Sequence, residues 1–412
     1  MGQEWSAENH PWIDFAIDLR DAPPALWMML GEAQSKTQHI EGVPLKPEEA
    51  RQLYLLFLAK GALATTAIEG NTLSEEQVWD HLNGRLKLPP SQEYLAKEID
   101  NIIDACNELW RELETGESPS LTLDRIRHYN QQVLNDLELD PEVVPGDFRT
   151  HSVVVGRYKC PPAHHCEDLL RRLLDWLESD AFKPQQPDQG FIYAYLKAIL
   201  AHLYLVWIHP FGDGNGRTAR LIEVHILSAS GVPKPVVHLL SNHYNFTRAE
   251  YYRRLDRSSR EPNGEVTFVQ YAAQGLVEQL RAQLRIIREQ QWSVTWQNFV
   301  HEAFAGKKGP TAQRRRQLVL DLSKMEEPVP KGQLVVMTPA LARMYAGTTE
   351  KTLTRDLNVL MRMDLITRER GRLRARTERI QAFLPAKACI DEHAVADLPV
   401  GPPVGKDIIK TA

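Results

Sequence analysis

Apolar residues at Leu53, Leu56, Phe57 and Leu63 recur at helical spacing, and the run stops at Gly70-Asn71. The pattern predicts a helix from about residue 47 that ends at that pair. A second helix starts at Thr72 or Ser74, where a hydroxyl residue precedes Glu75-Glu76 and then Val78-Trp79, and a longer one covers 94–110. The first third of the chain is therefore expected to be all helix. After a turn cluster at 115–119, helical rhythm resumes over 121–137, 166–177, 191–207, 217–228, 248–255 and 266–290. Between them, Pro145-Gly146-Asp147-Phe148-Arg149, Val153-Val154-Val155-Gly156 and Pro161-Pro162 break the rhythm, and β-branched residues bounded by Gly and Pro predict a small β-hairpin. No period of 20–50 residues repeats, which excludes a solenoid.

The pattern changes near 307–332, where charged and proline-rich turns mark a domain boundary. Beyond it, Thr338-Pro339 is an N-cap with proline at the first helical position, leading a short helix to Met344. Gly347 turns the chain, and 349–363 forms a second helix with Leu353, Leu357 and Leu360 on one face. Leu365-Ile366-Thr367 and 373–376 then read as two strands around Gly371, completing a winged helix-turn-helix. The expected fold class is mainly α, with one hairpin and this C-terminal module. The expected division is an N-terminal helical region 1–115, a core 116–290, a helical linker 291–332, a winged-helix domain 333–385 and a flexible tail 386–412.

Composition adds limits. The 412 residues are 43% hydrophobic and 25% charged, ordinary globular values that exclude wholesale disorder and fibrous classes. Four scattered cysteines make no disulfide framework. The longest apolar run, 53–59, is far short of the roughly 20 residues that cross a bilayer, so no membrane partner is expected. The first residues lack a basic and then apolar leader, and a cytoplasmic location is expected.

The net charge of −5 is uneven: residues 338–380 hold ten Lys/Arg and five Asp/Glu, a local +5. Lys351, Arg355 and Arg362 with Arg368, Arg370, Arg372, Arg374 and Arg376 are the electrostatic footprint of duplex DNA binding. Glu350, Asp356 and Asp364 interrupt that footprint, and a protein-docking or dimerisation module stays equally open.

The densest chemistry is His209-Pro210-Phe211-Gly212-Asp213-Gly214-Asn215-Gly216-Arg217-Thr218-Ala219-Arg220. Glycines in a loop that opens a helix let backbone N–H groups converge on an anion, aided by the helix dipole. Arg217 and Arg220, three apart in the first turn, project from one side toward successive phosphates, a placement that opposes the dipole unless an anion compensates. Asp213 makes sense in such a loop as a ligand for Mg²⁺ bridging the phosphates. His209, at the entrance, is the side chain suited to accept a proton near neutral pH. The chain has neither G-x-x-x-x-G-K-[ST] nor a strand followed by G-x-G-x-x-G, which excludes P-loop NTPases and dinucleotide folds.

These twelve residues resemble the Fic motif, H-x-F-x-[DE]-G-N-G-R-x-x-R, at every specified position, and the resemblance extends over roughly 45–285. It implies a Fic helical core, with 145–162 as its hairpin flap and Tyr251-Tyr252 as its nucleobase wall. The activity it implies is AMPylation, the transfer of AMP from Mg²⁺-bound ATP to a hydroxyl side chain of a target protein. By the same resemblance His209 is the general base, Phe211 anchors the loop and Asp213 binds Mg²⁺. Gly214, Asn215 and Gly216 cradle the α- and β-phosphates with Arg217 assisting, Gly212 fills a variable position, and Arg220 holds the γ-phosphate. A homodimer is a further implication.

Thr65-Thr66-Ala67-Ile68-Glu69-Gly70 resembles the family's inhibitory motif, [ST]-x-x-x-E-[GN], with Thr65, Glu69 and Gly70 at its specified positions. Glu69, at the end of a helix where a carboxylate opposes the dipole, wants a cation, and Arg220 can supply it. A Glu69–Arg220 pair would occupy the arginine needed by the γ-phosphate; in some relatives the same glutamate serves removal of AMP. Two alternatives to AMPylation stay open: a DNA-binding regulator using the core as a nucleotide sensor, and a different donor, since Tyr251-Tyr252 can stack on any base. Cys160, His164, His165 and Cys166 form one local cluster without a second ligand pair, a weak zinc signature.

Overall fold

The computed structural model describes residues 10–44, 47–116 and 119–381. It is mainly helical, with two small antiparallel sheets. The chain divides into two compact units, 1–285 and 286–412.

In the first unit α1 (Pro24–Glu41), α2 (Pro47–Ile68), α3 (Glu75–Leu82) and α4 (Glu93–Glu114) precede α5 (Leu123–Val133) and a hairpin of β1 (Val154–Val155) and β2 (Tyr158–Lys159). Then follow α6 (Cys166–Leu177), α7 (Gly190–Ile208), α8 (Asn215–Ala229), α9 (Lys234–Val237), α10 (Leu239–Phe246), α11 (Arg248–Ser258) and the long α12 (Gly264–Ala303). Ser74 caps α3 through a capping box with Gln77, the arrangement its hydroxyl and the following acidic residues predict. The stretches expected as separate regions, 1–115 and 116–290, lie in one unit up to residue 285, because α2 and α4 pack directly on α8.

Helix α7 departs from its expected character. With Lys197 as its one Lys, Arg, Asp or Glu, it has a mean hydropathy of 1.6 within Pro187–Ile208, enough by length and composition to cross a bilayer, although its unbroken apolar runs are shorter than 53–59. The physical reason is position: 72% of that window is buried, because α1, α6 and α8 pack around it. A helix that is hydrophobic on most of its faces belongs in a core.

The second unit contains the end of α12, α13 (Pro310–Leu322), β3 (Val329–Pro330), α14 (Pro339–Tyr345), α15 (Glu350–Arg362), β4 (Ile366–Glu369) and β5 (Arg372–Ala375), with strand order β3-β5-β4. Thr338 caps α14 by accepting from the Leu341 N–H. The segment expected as a linker, 291–332, is part of this unit's core. Trp296, Val300 and Phe304 repeat at helical spacing and pack with Leu318, Val319 and Leu322, so the stripe that α12 carries past residue 290 has a partner to bury against. The tail expected to be flexible lies outside the described residues.

His225, His238 and His243 are packed side chains, and burial pushes each imidazole down to about 4. The unfolded chain, with histidines near 6.5, then takes up protons before the folded one does. Stability is complete above that value and is lost as pH falls toward 4. The expected loss is on the order of 1–3 kcal/mol per histidine, and a thermal melt series from pH 8 to 4.5 should show Tm declining from about pH 6.5, before carboxylates titrate.

Candidate active site

Helix α7 ends at His209, whose backbone takes the left-handed conformation, φ 51° and ψ 59°, while its N–H still donates to the Leu205 carbonyl at 2.8 Å. A non-glycine residue in that region is strained and needs support. Arg149, beside the hairpin, provides it: Nε donates to the His209 carbonyl at 2.7 Å, Nη1 to His151 O at 2.7 Å and Nη2 to Pro161 O at 2.6 Å. Arg149 N–H also donates to Pro210 O at 2.9 Å, and Phe148 pairs with Phe211 as an antiparallel bridge. The hairpin and the histidine loop are thus one fastened piece.

Phe211 is buried, its ring 5.5 Å from that of Phe148. Asn215 closes the loop by accepting from the Phe211 N–H at 3.0 Å and donating back to its carbonyl at 2.9 Å. Gly214 is the N-cap of α8 and Gly212 packs against Val143. Asn130, on α5, donates to Asp213 O and accepts from Gly146 N–H, both at 2.9 Å, joining the loop to the turn before the hairpin.

Arg220 is wholly buried; its Nη2 donates to Glu69 Oε1 at 2.6 Å and to the Thr65 carbonyl at 2.9 Å. Thr65 therefore contributes its backbone to the pair. Burial opposes the Glu69 charge, but the Arg220 guanidinium overcomes it and holds the carboxyl below the usual range. Gly70, at φ 114°, turns the chain away directly after Glu69, a conformation that suits glycine. Glu69 Oε1 lies over Gly216, where any side chain would collide with it.

Arg217 is nearly as buried. Its Nη1 donates to Glu98 Oε1 at 2.9 Å, and Nη2 stands 3.4 Å from Asp213 Oδ1. Among the described residues, Arg217 Nε and Arg220 Nε and Nη1 are buried without a hydrogen-bond partner. Each such donor costs about 1–3 kcal/mol, a cost that an anion among them would remove.

Burial pushes the His209 imidazole down to about 4, and the Arg149 cation works in the same direction. At neutral pH the ring is uncharged and able to take a proton. Among the described residues no three metal-ligating side chains converge, so no all-protein cage exists for a cation. A single carboxylate suits Mg²⁺, which keeps waters and is held through one or two carboxylates plus phosphates, and Asp213 at the loop mouth is that carboxylate.

The two tyrosines expected to form one wall separate. Tyr252 is 44% exposed and its hydroxyl donates to the Ile68 carbonyl at 2.9 Å. Tyr251 is 2% exposed, stacked on Tyr244 and bonded to His202, because it sits on the inner face of α11; it has no open face for a base.

Residues 120–227 match the model of the Fic/DOC family. They are a Fic domain. The protein adenylyltransferase fic-1 of Caenorhabditis elegans is 34% identical over 205 residues, covering 50% of this chain and 36% of that protein. The protein adenylyltransferase Fic of Nematostella vectensis is 27% identical over 210 residues, covering 51% and 44%. The matched stretch thus spans less than half the length of either relative. A Fic family protein from Desulfovibrio desulfuricans shares the fold, with a TM-score of 0.51 at 19% identity over 86% of this chain and 96% of that one.

The matched residues begin after Asn71 and Glu98, and neither the contacts of these two with the cradle nor those of Asn130 and Arg149 follow from the sequence motifs. Arg149 ends the Pro-Gly-Asp turn at 145–149, a usable signal. The others reach Arg217 and the loop through contacts with residues far away in sequence.

Proposed function

We propose that the first unit is a protein adenylyltransferase: it transfers AMP from ATP to a Ser, Thr or Tyr hydroxyl of a target protein, under restraint by Glu69. The observation that carries this is the group of three partnerless guanidinium N–H donors beside a neutral His209, at the N-terminus of α8. In the proposed reaction His209 takes the hydroxyl proton, the hydroxyl oxygen bonds to the α-phosphorus, and the bond to pyrophosphate breaks. The Gly214–Asn215–Gly216 backbone and Arg217 neutralise the phosphates, and Arg220 receives the γ-phosphate once Glu69 releases it. Mg²⁺, held by Asp213, would screen phosphate charge. The test is incubation of wild type, Glu69→Gly and Glu69→Gly/His209→Ala with ATP and Mg²⁺, followed by intact-protein mass spectrometry for added AMP. Adduct confined to Glu69→Gly supports the proposal; none in any variant despite ATP binding would favour a nucleotide sensor.

A second proposal concerns the C-terminal unit, read as a winged helix that binds duplex DNA. The acidic residues that interrupted its basic footprint are engaged internally. Asp356 is buried between Arg314 and Arg315, at 2.8 and 2.6 Å. Glu350 pairs with Lys331, Asp364 with Arg376 and Arg379, and Glu369 and Glu378 with Arg374. Lys351, Arg355 and Arg362 on α15 and Arg368, Arg370 and Arg372 around the wing stay exposed, without an ion pair to any described residue. Duplex affinity should fall by about tenfold or more between roughly 50 and 200 mM salt and weaken further in Arg355→Ala/Arg370→Ala. A fluorescence-anisotropy titration measures both; absence of duplex binding would favour protein docking.

A further inference from the structure

The second arginine of the cradle carries its own carboxylate. Glu98 reaches Arg217 from α4, with side-chain exposures of 13% and 6%, and its other oxygen accepts from Asn71 Nδ2 at 2.9 Å. Asn71 also donates to the Leu95 carbonyl at 2.8 Å and accepts from the Leu73 N–H at 3.0 Å, so it fastens the chain leaving α2 to α4. Asn71 is two residues after Glu69. The carboxylate on Arg220 and the carboxylate on Arg217 are therefore linked through one short stretch of backbone and one side-chain amide. Neither the Fic motif nor the inhibitory motif contains Glu98 or Asn71.

A buried carboxylate is costly unless it is paired and hydrogen-bonded, and Glu98 is both. The same contact sets it in competition with a ligand: Glu98 pairs the guanidinium charge and one of its donors, Nη1, that a phosphate would otherwise engage, while Arg217 Nε already lacks a partner. We propose that Glu98 is a positioning residue that restrains Arg217 as Glu69 restrains Arg220, and that Asn71 couples the two restraints. This rests on the nucleotide-binding reading above.

Arg217 stands beside Asp213 at the loop mouth, within reach of phosphates that ADP and ATP share, whereas Arg220 is assigned the terminal phosphate found in ATP alone. The two restraints are therefore separable by ligand. Isothermal titration of the full chain with ADP and with ATP, each with Mg²⁺, should show Glu98→Gln binding both about fivefold more tightly. Glu69→Gly should gain for ATP and change little for ADP. Asn71→Ala, which leaves both carboxylates in place, should gain in part for both ligands. The amide of Glu98→Gln can still accept from Asn71, and a thermal melt reports its folding; if it melts early, Glu98→Asp, which withdraws the carboxylate by one methylene, carries the same expectation. Unchanged or weaker ADP binding by folded Glu98→Gln or Glu98→Asp overturns the proposal, since Glu98 would then orient Arg217 for phosphate. Failure of wild type and Glu69→Gly to bind either nucleotide would instead overturn the transferase reading, and this inference with it.

Discussion

Glu69→Gly is expected to raise AMP transfer by about ten- to a hundredfold, the return of an arginine whose charge coupling is worth about 1.4–2.8 kcal/mol. The pair is well placed for such an effect: Arg220 is buried and hydrogen-bonded to Glu69 at 2.6 Å. The Glu69 side chain is 32% exposed, so water screens part of the interaction, which keeps the expected gain below that of a fully desolvated pair. Removing the carboxylate leaves Arg220 with the Thr65 carbonyl as its remaining partner and adds Nη2 to the donors available to an anion. It also clears the space above Gly216 that the carboxylate fills. The gain should appear in the rate of adduct formation measured by mass spectrometry under saturating ATP with Mg²⁺. An unchanged rate would mean that the ion pair is structural and the restraint lies elsewhere.

In the Glu69→Gly background, His209→Ala should reduce transfer by about 10²–10⁴-fold, the usual contribution of a positioned general base. ATP affinity should be nearly unchanged, because the cradle is built from loop backbone and arginines rather than from the imidazole. This split separates loss of chemistry from loss of binding. The pH dependence follows from burial: with His209 lowered to about 4, the ring is neutral throughout the physiological range. Transfer should be flat between pH 6 and 8 and fall only as pH drops toward 4, where protonation removes the base. A rate that halves near pH 6.5 would instead indicate a solvated histidine. Retention of transfer by the alanine variant would place the base elsewhere.

Which residues would meet was legible in part. Residues 209–220 announce an anion site because the loop's chemistry is local: backbone N–H groups, a helix N-terminus and the residues of one turn. The helix stop at Gly70-Asn71 was equally plain, since a glycine at φ 114° serves a local backbone need. Tyr251 and Tyr252 were not separable, because adjacent residues on a helix point to different faces and only packing against Tyr244 and His202 decides which one is buried.

Local periodicity and capping were sufficient for the helices, the hairpin and the cradle, because each depends on interactions within a few residues. The partnership of Arg220 with Glu69, 151 positions away, and of Arg217 with Glu98, 119 away, depended on α2 and α4 packing against α8. The placement of Arg149 under His209 and the incorporation of 291–332 into the second unit's core were likewise decided by tertiary contacts, of the hairpin turn with the histidine loop and of α12 with α13. Charge alone names a sign and not a partner; the partner is chosen when burial removes water and leaves one opposite charge within reach.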